Sequence, residues 1–166
     1  MNAPLIPRRY WAAAFAIMAV TAAILLFMGR PPICTCGTVK LWAGAVQSAD
    51  NSQHIADWYS LSHMIHGFLF CFLGWLLLRR NPAGDRLIAA IVIEASWELL
   101  ENSPLIIERY RHETASLGYS GDSVINSVSD ICFMMIGFAL ARRLPVWATI
   151  ALGVGFELLA LAIIRE

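Results

Sequence analysis

Residues 87–100 read L-I-A-A-I-V-I-E-A-S-W-E-L-L, and the fold turns on whether this stretch crosses a lipid bilayer. A crossing helix needs about 20 residues. The run is apolar, but it carries Glu94 and Glu98, with Glu101 next and Pro104 closing it. A carboxylate near the bilayer centre costs about 2.5–3.5 kcal/mol on insertion scales. Glu94 is the worst placed of the three. The stretch therefore inserts only where neighbouring helices receive its acidic groups.

Its neighbours on both sides are plainer. Upstream, residues 10–28 form an apolar run introduced by Arg8 and Arg9 and stopped by Arg30, Pro31 and Pro32. This run is longer than the apolar region of a signal peptide, and no small-x-small cleavage pattern follows it, so it reads as an uncleaved anchor. Residues 60–78 form a second run, ended by Arg79, Arg80, Asn81 and Pro82. Downstream, residues 124–141 end in Arg142 and Arg143, and residues 146–164 follow after so short a connection that the two form an antiparallel hairpin.

Composition agrees. The chain has 166 residues, 58% hydrophobic and 14% charged, against about a quarter charged in soluble domains. Its formal net charge is zero, so no basic footprint for nucleic acid is present. The expectation is one all-α domain over residues 1–166: an integral membrane bundle of about five helices, spanning 10–28, 60–78, 87–103, 124–141 and 146–164. Its first partner is the lipid bilayer.

Orientation follows the Lys/Arg bias. With a cytoplasmic N-terminus and five crossings, Arg8, Arg9, Arg79, Arg80, Arg86, Arg142 and Arg143 lie inside, and Arg30, Lys40, Arg109, Arg111 and Arg165 outside. Without the third crossing the bias is slightly stronger, so counting does not decide. Five crossings place all three Arg-Arg pairs at one interface with Trp11 and Trp147, and Trp42, Trp58 and Tyr59 at the other.

Five crossings also gather the ionisable residues. His63 and His66 fall at the outer end of the second helix, Glu98 and Glu101 at the outer end of the third, and Asp122, Asn126 and Asp130 at the outer start of the fourth. His63 and His66 are i, i+3. Glu94, Glu98 and Glu101 run i, i+4, i+7, and Asp122, Asn126 and Asp130 run i, i+4, i+8, so each set shares a helical face. Ionisable groups inside a membrane face one another or a wet cavity. Against this, Glu101 and Asp122 also suit contact with headgroups and water, and Asp122, after Gly121, suits a helix N-cap. Glu157, in the fifth run, either joins the cluster or meets a partner chain.

Imidazole and carboxylate suit a divalent ion such as Zn, Fe or Mn. The candidate ligands are His63, His66, Glu98, Glu101 and Asp122. The candidate acid/base groups are Glu98, Asp130 and His66, which work with such an ion or without one. H-E-x-x-H, G-x-S-x-G, the P-loop and dinucleotide fingerprints are all absent from the sequence.

Four cysteines divide into two groups. Cys71 and Cys132 lie in apolar runs as small hydrophobes. Cys34 and Cys36 form C-x-C in a polar loop, where a bridge would close a very tight ring, so no framework disulfide is expected and a metal or redox role stays open. The loop over residues 31–59 carries His54 and Asp57. It either lids the polar pocket or is a solvated connector.

Four motifs carry a resemblance: C-T-C-G at 34–37, Q-H-I-A-D-W-Y-S-L-S-H-M-I-H-G at 53–67, W-E-L-L-E-N-S-P at 97–104 and G-D-S-V-I-N-S-V-S-D at 121–130. Together they resemble an alphaproteobacterial family of multi-pass inner-membrane proteins catalogued as a domain of unknown function. The likeness implies a cell inner membrane location and packed spans, and no activity. The W-E-x-x-E segment followed by G-D also resembles, more distantly and by spacing alone, the VanZ-like membrane proteins. The functional expectation is a membrane protein with a His/Glu/Asp pocket at its periplasmic side. It acts as a metal-dependent or acid/base enzyme on a lipid-linked or envelope substrate, as a small proton- or cation-coupled carrier, or as an assembly factor binding partner membrane proteins.

Overall fold

The computed structural model describes residues 6–46, 48–113 and 119–164. Arg165, used in the orientation count, lies outside them. The described chain is all-α, with six helices: α1 Arg8–Phe27, α2 Ser60–Leu77, α3 Ala83–Glu101, α4 Pro104–Glu113, α5 Val124–Ala141 and α6 Val146–Ile164. Four of them, α1, α2, α5 and α6, are long and apolar enough to cross a membrane. The helix α3 is as long, but its charges keep it out of that set. Its 19 residues reach about 28 Å at 1.5 Å per residue, close to the hydrocarbon thickness.

The expected third run begins at residue 87, yet α3 starts four positions earlier. Pro82, at φ −55°, leads into the helix, and Asp85 in the first turn meets its positive end. The hydropathy pattern leaves residues 104–123 as a connection. The structure instead forms α4 there, opening on Pro104, which has no N–H for the first turn to waste.

Contacts at the helix ends show how the bundle is threaded. At one end the Tyr10 hydroxyl of α1 donates to Asp85 of α3 at 2.9 Å. There too, Arg86 of α3 donates to the carbonyls of Leu78 and Arg79 at the end of α2, at 3.0 and 2.8 Å. At the opposite end Arg30, just past α1, donates to the carbonyl of Ser120 in the segment that enters α5. Thus α1 and α3 run the same way and pack side by side, α2 runs the opposite way against the other side of α3, and α3 joins the end of α2 to the start of α5.

The closest helix pair is α2 with α5. A Cβ on Gly67 would lie 2.1 Å from the Met134 carbonyl oxygen, and one on Gly137 would lie 2.1 Å from that of Met64. Only glycine lets the two backbones approach so closely, as small residues do at membrane helix interfaces. Ala14, Met18, Leu87, Ile91, Ile131, Met134 and Phe138 fill the apolar core between α1, α3 and α5. By contrast α6 buries Ile164 alone among its described residues and exposes Trp147, Ile150, Val154 and Leu158. This is the surface a lipid-facing helix presents.

The loop before α2 departs from the connector reading. Asn51, Ser52, Gln53, His54 and Asp57 are all buried. Ser123 N–H donates to the Ser52 carbonyl at 3.0 Å, Ser123 Oγ to that of Gln53 at 3.0 Å, and Asn126 Nδ2 to that of His54 at 2.9 Å. The segment is held by the start of α5 because its carbonyls satisfy donors buried there. Cys34 and Cys36 are joined by a disulfide, which corrects the expectation of none. The turn closed by Gly37 N–H on the Cys34 carbonyl, with Gly37 at φ +78°, brings their Cα atoms to 5.2 Å, inside the range a bridge needs.

Candidate functional site

Every element that meets at the Arg30 end contributes a polar group. His63 of α2 is buried, and its Nδ1 lies 2.6 Å from Glu94 Oε1 of α3. His66, one turn on, places its own Nδ1 3.1 Å from both Glu94 oxygens. The same face of α2 therefore docks both rings on a single carboxylate. Glu98 Oε1 lies 3.5 Å from His63 Nδ1, and Asp130 Oδ2 of α5 lies 3.8 Å from His63 Nε2. Asp130 also accepts the Ser60 hydroxyl at 2.9 Å. Glu94 and Glu98 are 0% and 1% exposed, so both carboxyls depend wholly on these partners. Glu98 Oε1 has no hydrogen bond at all.

A second layer supports the first. Asn102, just past α3, accepts Asp122 N–H at 2.7 Å through Oδ1. Its Nδ2 donates to Asp122 Oδ2 at 2.7 Å and to the Glu98 carbonyl at 3.0 Å. Tyr119 donates its hydroxyl to Asp122 Oδ1 at 2.7 Å. Asp122 is thus gripped on both oxygens, and it does not cap α5. That role belongs to Ser123, whose side chain accepts Asn126 N–H. Gly121, at φ +93°, sits where a Cβ would strike Arg30, so this tight entry needs glycine.

Burial raises the Asp122 carboxyl above the ordinary carboxylate range despite its bonds to Tyr119 and Asn102. Burial also raises Asp57, against the opposing pull of hydrogen bonds from Ser52, Tyr59 and Ser60. The phenols of Tyr110 and Tyr119 are both pushed up. Burial is the chief cause and the nearby carboxylates Glu101 and Asp122 add to it, so both stay protonated donors.

These groups surround a cavity of about 120 Å³ lined by His63, Glu101, Tyr110, Tyr119, Asp122 and Asp130 among others. At about 30 Å³ per water, it would take a small polar group rather than a whole lipid. Two sets of three could hold a metal ion: His63 with His66 and Glu94, and His63 with Glu98 and Glu101. Within each, the ligand atoms lie within 4.8 Å of one another.

The structure brings His63, His66, Glu98, Glu101, Asp122 and Asp130 to one end of the bundle, and divides them. His66 pairs with Glu94 rather than Glu98, and Asp122 is held by Asn102 and Tyr119. Glu157 is exposed on α6, beside Tyr59 and Ser62. Sequence reasoning named Glu94 as the worst-placed member of the acidic stripe and, with Glu157, as support for a carrier, but not as the partner of the histidines, and it overlooked Asn102, Tyr119 and Ser60. The i, i+4 spacing of Glu94 to Glu98 was a usable signal. Asn102 and Tyr119 had none, because their partners come from other segments.

A family model described as a protein of unknown function, DUF2585, matches residues 25–166. The chain belongs to this family. It is 57% identical to the UPF0314 protein of Sphingopyxis alaskensis over 97% of this chain and 86% of that one. The UPF0314 protein of Paracoccus denitrificans is 55% identical over 95% of this chain and 81% of its own. That of Rhizobium johnstonii is 52% identical over 96% and 82%. No solved structure matches. Family membership carries no activity with it, and any function must be argued from the site.

Proposed function

We propose that the protein is a five-span enzyme of the cell inner membrane, N-terminus in the cytoplasm. It uses a divalent transition metal to hydrolyse an ester or phosphoester bond of a lipid-linked or envelope substrate. The observation that carries this reading is the sharing of His63 by two ligand sets, beside a buried Glu98 oxygen without a hydrogen bond. A buried charge without a partner costs several kcal/mol, and a cation would answer the Glu98 oxygen that no hydrogen bond reaches.

The set His63, Glu98 and Glu101 is the one we assign to the ion, because His63 and Glu101 also line the cavity. Glu94 accepts the Nδ1 hydrogen of His63, which leaves the Nε2 lone pair free for the metal, the usual carboxylate–histidine arrangement. His66 steadies Glu94 from the other side. A divalent ion held there would supply Lewis acidity and lower the pKa of a water to about 7. Asp130 would serve as the general base beside it. Tyr119, whose hydroxyl is given to Asp122, would line the cavity with Tyr110 as its polar wall. Crossing by α3 is supported by its length and by partners at both ends, which receive the carboxyls lipid would refuse.

Protein purified in detergent should carry about one equivalent of Zn, Mn or Fe, the metals imidazole and carboxylate select. His63→Ala and Glu98→Gln should lose the metal while staying folded, and a chelator should abolish hydrolysis across a panel of lipid-linked phosphates and esters. Metal-free protein that ignores both chelator and added divalent ions would overturn the metal reading.

One observation favours a second reading, a proton- or cation-coupled carrier. Glu94 is fully buried and links His63 to the half-buried His66, which extends the ionisable chain deeper along α2. Unchanged proton and cation flux in liposomes carrying Glu94→Gln would count against it.

A further inference from the structure

The C-x-C turn stands apart from the cavity site, and four side chains converge on it. The ligand-capable atoms of Cys34, Cys36, Asp50 and His54 all lie within 4.8 Å of one another. Cys34 is buried and Cys36 exposed. His54 is buried, and its Nε2 has no hydrogen-bond partner. A bridge between residues two apart gives little chain-entropy stabilisation, which grows with the length of loop closed. The turn is already held by Gly37 N–H on the Cys34 carbonyl. Holding the fold is therefore a poor account of this pair.

The surroundings distinguish thiol chemistry from metal binding. Lys40 N–H donates to His54 Nδ1 at 3.3 Å, so the neutral ring carries its hydrogen on Nε2, the nitrogen a metal would need bare. The Lys40 ammonium meanwhile occupies Asp50. The Cys36 sulfur lies 3.1 Å from the Thr38 hydroxyl, and the Asp50 carboxylate lies within 4.8 Å of both sulfurs. The Cys34 sulfur itself accepts Cys36 N–H at 3.1 Å. Positive and hydrogen-donating neighbours stabilise thiolate.

We propose that Cys34 and Cys36 are a thiol–disulfide exchange centre that accepts electrons from a dithiol partner. One partner thiolate attacks the exposed Cys36 sulfur. The Cys34–Cys36 bond breaks, a mixed disulfide forms on Cys36, and Cys34 leaves as the thiolate, received by the Cys36 amide and the His54 Nε2 hydrogen. The partner's second thiolate then attacks its own sulfur in that mixed disulfide and releases Cys36. Two electrons pass to the protein pair and the partner leaves as a disulfide. This inference does not rest on the hydrolase reading, since none of its residues lines the cavity.

The test uses the full chain in detergent micelles, with Cys71→Ala and Cys132→Ala to remove the other two thiols. Dithiothreitol should release two alkylatable thiols by mass spectrometry with the thermal midpoint still cooperative, and oxidised glutathione should close the pair again. With Cys34→Ser, Cys36 should form its glutathione adduct about tenfold faster than Cys34 does with Cys36→Ser, following exposure. A pair that excess dithiothreitol leaves closed in the folded protein, or that does not re-form, overturns the proposal. So does equal reactivity of the two sulfurs, or a reduced pair that takes up one zinc and then resists oxidation.

Discussion

Asn102 shows how much of the site rests on a residue with no chemistry of its own. Its amide answers Asp122 on both backbone and side chain and reaches Ser127 Oγ at 3.3 Å. Asn102→Ala would leave the buried Asp122 groups unanswered, and a buried polar group without its partner costs about 1–3 kcal/mol. The expected outcome is a lower unfolding midpoint in detergent by that amount, together with weaker metal retention, because Glu98 and Asp122 are positioned through the same amide. Ser127→Ala, which removes a longer bond, should cost less. Equal effects from the two would mean that Asn102 acts through packing alone.

Among the elements, the α2–α5 pair carries the strictest steric demand. Gly137→Ala would drive a methyl into the Met64 carbonyl. Overpacking typically costs about 1–3 kcal/mol, and here the obstacle is backbone and cannot rotate away. His63 and Asp130 ride on these two helices, so the variant should lose both thermal stability and the cavity's geometry. Gly155 on α6 has nothing within 4 Å of its Cβ position. Gly155→Ala should be neutral or stabilising by about 0.5–1 kcal/mol, the usual helix preference for alanine. In thermal melts run side by side in one detergent, Gly137→Ala should fall below the parent and Gly155→Ala should not.

On the scale of the whole molecule, the proposed five crossings with the N-terminus inside would place the C-terminus outside. An alkaline phosphatase fused after Glu166 should be active, and a cytoplasmic fluorescent reporter at the same point should be dark. The reverse pattern would remove the crossing by α3. Charge acts globally as well. Asp57 and Asp122 bind protons more tightly folded than unfolded, so the stability each contributes is full below its unfolded value of 3.8 and is lost as pH rises through the raised folded value. With chelator present, the Asp122→Asn midpoint should therefore gain on the parent as pH climbs from about 4 toward neutrality. A divalent ion held by the neighbouring carboxyls should flatten that difference. A gap that stays constant with pH would mean that Asp122 titrates as it does unfolded.

The sequence alone determined the helical class and, within two residues, the bounds of the four helices long and apolar enough to cross a membrane. Lipid-length apolar runs between arginines and prolines leave few alternatives, because the bilayer demands continuous internal hydrogen bonding. It also determined that His63, Glu98 and Asp130 share one end, since helical periodicity and alternating direction place them there. Periodicity says nothing about which partner a side chain meets. Only the tertiary structure gave both histidines to Glu94, seated Asp122 on Asn102 and Tyr119, and folded the 51–57 segment onto α5. It also closed Cys34 on Cys36. Each of these pairings joins segments, or turns a loop, through backbone geometry and desolvated contacts that no local pattern encodes, because the cost of an unanswered buried group is settled by whatever the whole fold brings within reach.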